Sequence, residues 1–169
     1  RIARLDSPES SLETATLTPD ELELRATVAQ EFSDDPEYFF THALQVQHLW
    51  EGERRILQSL NPALQKHQPL YIASGHALGK DFIAGGLPLW WATTRYPAKT
   101  ILTGPTHRQV IGITWNELLG HVSRWRPDLP PLGGKLVQGS YQWDAQHFIT
   151  AITTAHSESL IGKLQGYHS

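Results

Sequence analysis

Leu70-Tyr71-Ile72-Ala73-Ser74-Gly75-His76-Ala77-Leu78-Gly79-Lys80-Asp81 is the stretch that decides the fold. Residues 70–73 read as a short buried strand, 74–79 as a small-residue loop, and 81–91 as an apolar helix. The phosphate-binding P-loop pattern is Gly, four residues, Gly-Lys, then Ser or Thr. Here Ser74 takes the first Gly position, Gly79 and Lys80 match, and Asp81 takes the hydroxyl position. A tight turn between strand and helix aims backbone amides inward as a nest for phosphate. The following helix presents its positive N-terminus to the same anion. In this reading the amides of Ser74, Gly75, His76, Ala77, Leu78 and Gly79 cradle the phosphates of ATP. Lys80 is the catalytic cation, reaching the β and γ oxygens. Asp81 stands where a hydroxyl ordinarily ligates Mg²⁺. Either its carboxylate holds the metal, or the metal is held otherwise, or binding is weak, because the carboxylate sits beside a polyanion. The same letters also fit an ordinary strand-to-helix turn with an exposed lysine.

Working outward, Thr18-Pro19-Asp20-Glu21 has the form of a capping box and predicts a helix to about residue 32. Asp35-Pro36-Glu37 repeats the start signal, with Tyr38, Phe39 and Phe40 as apolar anchors. A third helix is expected from about 49 to 60, ended by Asn61-Pro62. Downstream, 99–103 reads as a strand and 107–125 as a helix with Val110, Ile113, Leu118 and Val122 facing the core. Residues 127–134 read as a loop, and two further strand-like pieces lie at 135–139 and 147–154. The alternation of strand and helix predicts an α/β fold, a P-loop NTPase three-layer sandwich with a mainly parallel sheet and a helical lead-in. The expected organisation is an extended or disordered arm over 1–17, the lead-in over 18–66, and the ATPase core over 67–169.

The chain has 169 residues, of which 40% are hydrophobic and 18% charged, enough apolar content for one domain with a sizeable core. It has no cysteine, which excludes disulfides and thiolate metal sites. No apolar run is long enough to span a bilayer. The net charge of -3 hides an asymmetry: residues 1–53 carry 12 acidic against three basic side chains, while 54–169 carry five against 11. A mildly basic body could suit an anionic partner such as ATP or DNA, although a solvated surface with a scattered excess of charge is the simpler reading.

Residues 74–81, then Leu89-Trp90-Trp91, Tyr96-Pro97-Ala98-Lys99-Thr100, Thr103-Gly104-Pro105-Thr106-His107-Arg108-Gln109-Val110 and Trp115, together resemble the N-terminal ATPase domain of the large terminase subunit of tailed phages. The likeness is specific over roughly 45 residues and looser upstream to Trp50 and downstream to Gly166-Tyr167-His168. The resemblance implies an ATPase that drives translocation of double-stranded DNA, with ATP and Mg²⁺ at the variant P-loop. It also implies a homo-oligomeric ring, portal protein and small terminase subunit as partners, no membrane, and the cytoplasm of a bacterial host. His76 stands where some members place an arginine near the γ-phosphate. Glu53, after the Trp50 lead-in, stands near an adenine-contacting glutamine and could accept from the adenine amino group. Leu164-Gln165-Gly166-Tyr167-His168 resembles the segment before the Walker B strand, so the chain is expected to be a piece whose metal-completing Asp-Glu pair lies beyond Ser169. A helicase-like DNA-remodelling ATPase and a degenerate, non-catalytic nucleotide-binding module are the alternatives.

The six tryptophans read as core residues rather than stacking platforms. The histidines show no metal-ligand spacing, and His107 and His121 are expected at a cap or on the surface. Arg124 and Arg126 fit a solvated helix end better than an arginine finger. Arg95, Lys99 and Arg108 could touch DNA phosphates but form no dense cluster.

Overall fold

The computed structural model describes residues 19–73, 75, 78–137 and 139–154. The expected arm at 1–17 and the last fifteen residues lie outside the described residues. Helix α1 spans Pro19–Asp34, and α2 is a short turn, Pro36–Tyr38, that runs on as a π-helical turn over Phe39–Ala43. Asp35 starts α2 as expected, its carboxylate accepting from the Tyr38 amide at 2.9 Å.

Helix α3 spans Glu51–Gln65 and passes through Pro62, so Asn61-Pro62 does not end it. The side chain of Asn61 has another task. Its Nδ2 donates to the carbonyls of Ser33 and Asp34 at 3.0 and 2.8 Å, capping the end of α1.

Helix α4, Lys80–Thr94, is the central element. It buries Ile83, Gly85, Gly86, Pro88, Leu89, Trp90 and Ala92, so it is covered on most sides. Two glycines permit that closeness. A Cβ on Gly85 would lie 2.6 Å from the Cβ of Glu117 and 2.8 Å from the Leu118 amide nitrogen, and one on Gly86 would collide with the Phe40 ring. Trp90 donates its indole N–H to the Phe32 carbonyl at 2.7 Å, tying α4 to the end of α1.

Strand β1 is Lys99–Gly104, followed by a π-helical segment, Arg108–Trp115, that continues into α5, Asn116–Ser123. The wider π turn shifts the buried face: Val110, Trp115 and Leu118 go inside, while Ile113 is exposed. Strands β2 (Lys135–Val137), β3 (Ser140–Gln142) and β4 (Phe148–Thr153) complete the sheet.

The strand order is β1-β4-β3-β2. Only β1 and β4 are parallel, in register Lys99 to Phe148 through Gly104 to Thr153. The β4–β3 and β3–β2 pairs are antiparallel. The fold is therefore mixed α/β, and the expected mainly parallel P-loop sandwich is incorrect. Two local causes stand behind the correction. First, the piece read as one strand at 135–139 turns at Gly139, whose φ of +80° favours glycine, and returns as β3. Second, residues 70–73 form no strand. Leu70, Tyr71 and Ile72 are exposed, Tyr71 at 87%. An apolar run becomes a buried strand only where a neighbouring strand takes its backbone groups, and none of the described strands does so here.

The core joins Phe32, Phe39, Phe40, Leu44, Leu57, Leu89, Leu118 and Ile149 across the helices and β4. His121, expected at a cap or on the surface, is fully buried. It sits beside the rings of Phe82 and Phe40, at centroid distances of 4.5 and 5.8 Å. Among the tryptophans, Trp90 and Trp115 are buried, Trp91, Trp125 and Trp143 are half-buried, and Trp50 is exposed.

Candidate phosphate-binding site

Gly79 and the first turn of α4 are the best-defined part of the candidate site. Gly79 is the N-cap, with φ +74° and ψ 4°, a left-handed conformation that a side chain would strain. Its carbonyl accepts from the Ile83 amide at 3.0 Å, which closes the first helical turn. The amides of Lys80, Asp81 and Phe82 then have no acceptor within the helix, and no side chain among the described residues caps them. Three N–H groups at the positive end of a 15-residue helix thus form an anion site in outline.

Lys80 and Asp81 begin the helix and are half-buried. Neither takes part in an ion pair among the described residues. Gly75 and Leu78 are exposed, the latter at 61%. Ser74, His76 and Ala77 lie outside the described residues.

Glu53 is the one buried acidic residue among the described residues, 4% exposed. Its Oε2 accepts from the Trp50 amide at 2.9 Å, holding the start of α3. Its carboxylate also packs against Gly79, so closely that any Cβ there would collide with it. The structure thus brings Glu53 against Gly79, at the start of α4. Trp50, 71% exposed and edge-on to His48 at 5.3 Å, stands beside it in the chain.

The donor set fits Mg²⁺ only together with a nucleotide. No group of three or more His, Cys, Asp or Glu residues is placed to hold a metal among the described residues. Magnesium bound through one or two carboxylates ordinarily completes its shell with phosphate oxygens and water. Asp81 is the residue that would supply the protein carboxylate.

The other singled-out residues lie apart. Arg126 is engaged by Asp128, with Nε and Nη2 donating to the two carboxylate oxygens at 2.5 and 2.7 Å, and Nη1 meets His42. This pairing holds the Asp128 carboxyl below its ordinary range. Arg124 is exposed and its guanidinium lies 5.7 Å from the Phe82 ring centroid. His107, Arg108 and Lys99 are exposed. Arg95 instead folds back over Trp91 and Trp90, with its guanidinium carbon 4.0 and 4.6 Å from their ring centroids. The signal for that was available in Trp90-Trp91 followed by Arg95, five and four residues on, just past the end of α4.

No known protein family, curated protein or solved structure matches the chain. No helix among the described residues is long and apolar enough to cross a membrane.

Proposed function

We propose that the turn into α4 binds the phosphates of ATP, and that the protein works as the ATPase part of a phage DNA-packaging motor of the large-terminase type. The observation carrying the first half is the left-handed Gly79 followed directly by Lys80 and a helix N-terminus that no side chain among the described residues caps. Backbone amides there favour an anion, and a lysine at the first helical position adds a full charge to the helix dipole. The second half, with double-stranded DNA, portal protein and small subunit as partners and a bacterial cytoplasm as the setting, is supported by the motif resemblance from Ser74 to Trp115.

In this reading Lys80 neutralises charge on the β and γ oxygens, while the amides of Lys80, Asp81 and Phe82 orient the polyphosphate. Mg²⁺, held through Asp81 and the phosphates, would supply further charge neutralisation. Glu53 lies close enough to the loop to contact a bound nucleotide and adds negative charge, which weakens binding of a polyanion. That burden favours a second reading, a nucleotide-binding module with little or no hydrolysis.

Calorimetric titration of Mg-ATP into the chain and into Lys80→Ala tests the proposal. Saturable binding that weakens about tenfold or more in the variant supports it, given about 1.5–3 kcal/mol for a hydrogen bond to a charged group. Equal affinity in both proteins refutes it. Phosphate release in the presence of double-stranded DNA then separates the motor from the silent module.

A further inference from the structure

A cavity of about 320 Å³ lies between α1, the end of α4 and the loop before β2, and shares no residue with the phosphate loop. Val28 and Phe32 of α1, Ala92 of α4, and Trp125, Leu132 and Trp143 give it apolar walls. The volume is at the lower end of the usual range for ligand sites, about 300–1,000 Å³, and suits a body of one or two rings.

The polar groups at this cavity are nearly all spent on the protein. Trp125 and Trp143 donate their indole N–H groups to the carbonyls of Pro130 and Leu132, at 3.0 and 2.7 Å. Thr93 and Thr94 donate to the helix carbonyls of Leu89 and Trp90, at 2.8 and 2.7 Å. His147 accepts from the Ala98 amide through Nδ1 at 3.2 Å, and Tyr96 donates to Asp144 at 3.1 Å.

Arg95 is the exception. Its Nη1 donates to the Thr94 hydroxyl at 2.6 Å, and its face stacks on Trp91 and Trp90. No carboxylate among the described residues pairs with it. A guanidinium carries five N–H donors in a planar fork that matches a carboxylate. Arg95 is also half-buried, and that burial lowers its pKa, the mark of a cation taken partly out of water without an anion to compensate.

We propose that this cavity binds a small carboxylate with an aromatic or branched apolar body, its carboxylate on Arg95 and its body against Trp125 and Trp143. An amide or alcohol of the same shape would bring donors for which the walls hold few acceptors. The acid is also favoured by charge.

The test is titration of phenylacetate, indole-3-acetate and 4-methylpentanoate into the full chain at neutral pH. The indole N–H signals of Trp125 and Trp143 are followed by NMR, with phenylacetamide as the neutral match. Saturable shifts are expected at both tryptophans with at least one acid, with the amide of the phenyl acid about tenfold weaker, the scale of one charge-assisted hydrogen bond. Arg95→Gln should erase the difference between phenylacetate and phenylacetamide, and Ala29→Trp, which fills the cavity, should abolish binding. No saturable shift with any of the three acids at millimolar concentration overturns the proposal. Equal affinity for phenylacetate and phenylacetamide on the unaltered protein overturns it as well, whether or not Arg95→Gln folds.

Discussion

Gly85→Ala should loosen the packing of α4 on α5, and its cost can be worked from the geometry. The new Cβ would sit 2.6 Å from the Cβ of Glu117, 2.8 Å from the Leu118 nitrogen and 2.9 Å from the Glu117 carbonyl carbon. Carbon atoms pack at about 3.5–4.0 Å, so the two helices must separate by about 1 Å. None of the three atoms is the tip of a flexible side chain, and no rotamer change relieves the clash. Overpacking of this kind costs about 1–3 kcal/mol, and the backbone contacts put this site at the upper end. The gain in helix propensity from Gly to Ala returns about 1 kcal/mol. The net loss is about 2 kcal/mol, which lowers the melting temperature by about 4–8 °C in a domain of this size. Thermal unfolding followed by far-UV circular dichroism measures it. Gly52→Ala in α3 is the control, since a Cβ there meets nothing within 4 Å and should leave stability unchanged or slightly raised. A Gly85→Ala protein that melts at or above the parent temperature, beside a well-behaved control, would refute this account of the helix crossing.

Trp90→Phe leaves the Phe32 carbonyl at the end of α1 without its indole donor. The expected loss is about 1–3 kcal/mol in urea unfolding, most of it the cost of an unpaired buried group. Burial holds the His121 pKa below its ordinary 6.5, outweighing the hydrogen bond to the Phe82 carbonyl, so the ring is neutral in the fold. The unfolded chain then binds more protons as the pH drops below 6.5; stability is fully present above that value and falls on acidification. His121→Gln should flatten the pH dependence of the urea midpoint between pH 7.5 and 5; an unchanged slope counts against the assignment. Glu53→Gln keeps an acceptor for the Trp50 amide while removing a charge beside Gly79. Mg-ATP affinity should rise about fivefold, roughly 1 kcal/mol of relieved repulsion, and a fall in affinity on titration would mean that the carboxylate helps to hold the nucleotide.

Local signals were readable where a single residue type controls the backbone. Asp35 caps α2, Pro19 opens α1, and the apolar run after Lys80 is a helix, because caps and helical spacing act over a few residues. The sheet was harder to read. An apolar tetrad such as 70–73 says nothing about which strand would pair with it, and here it lies exposed. Gly139 marks a turn only once β3 is known to return beside β2. The π-helical segment moved Ile113 outward, against the ordinary helical period. At the candidate site, Gly79 is the cap and Lys80 the first residue of α4, one position before the expected helix start. Spacing and periodicity could not pair Glu53 with Gly79, since the contact joins positions 26 residues apart through the packing of α3; only the family resemblance put Glu53 near the candidate site. His121 and Arg95 follow the same rule. A polar side chain at a helix end looks solvated in the sequence, and only the neighbouring elements show that Phe82 and Phe40 enclose one and Trp91 and Trp90 stack on the other.

The central claim is that phosphate meets the start of α4, and backbone NMR of the isotopically labelled chain with Mg-ATP tests it at the atoms concerned. The account predicts saturable shifts of the Gly79, Lys80, Asp81 and Phe82 amides, reproduced in part by Mg-ADP and lost in Lys80→Ala. Saturation that leaves those four amides unmoved, or no response to nucleotide at all, would contradict it.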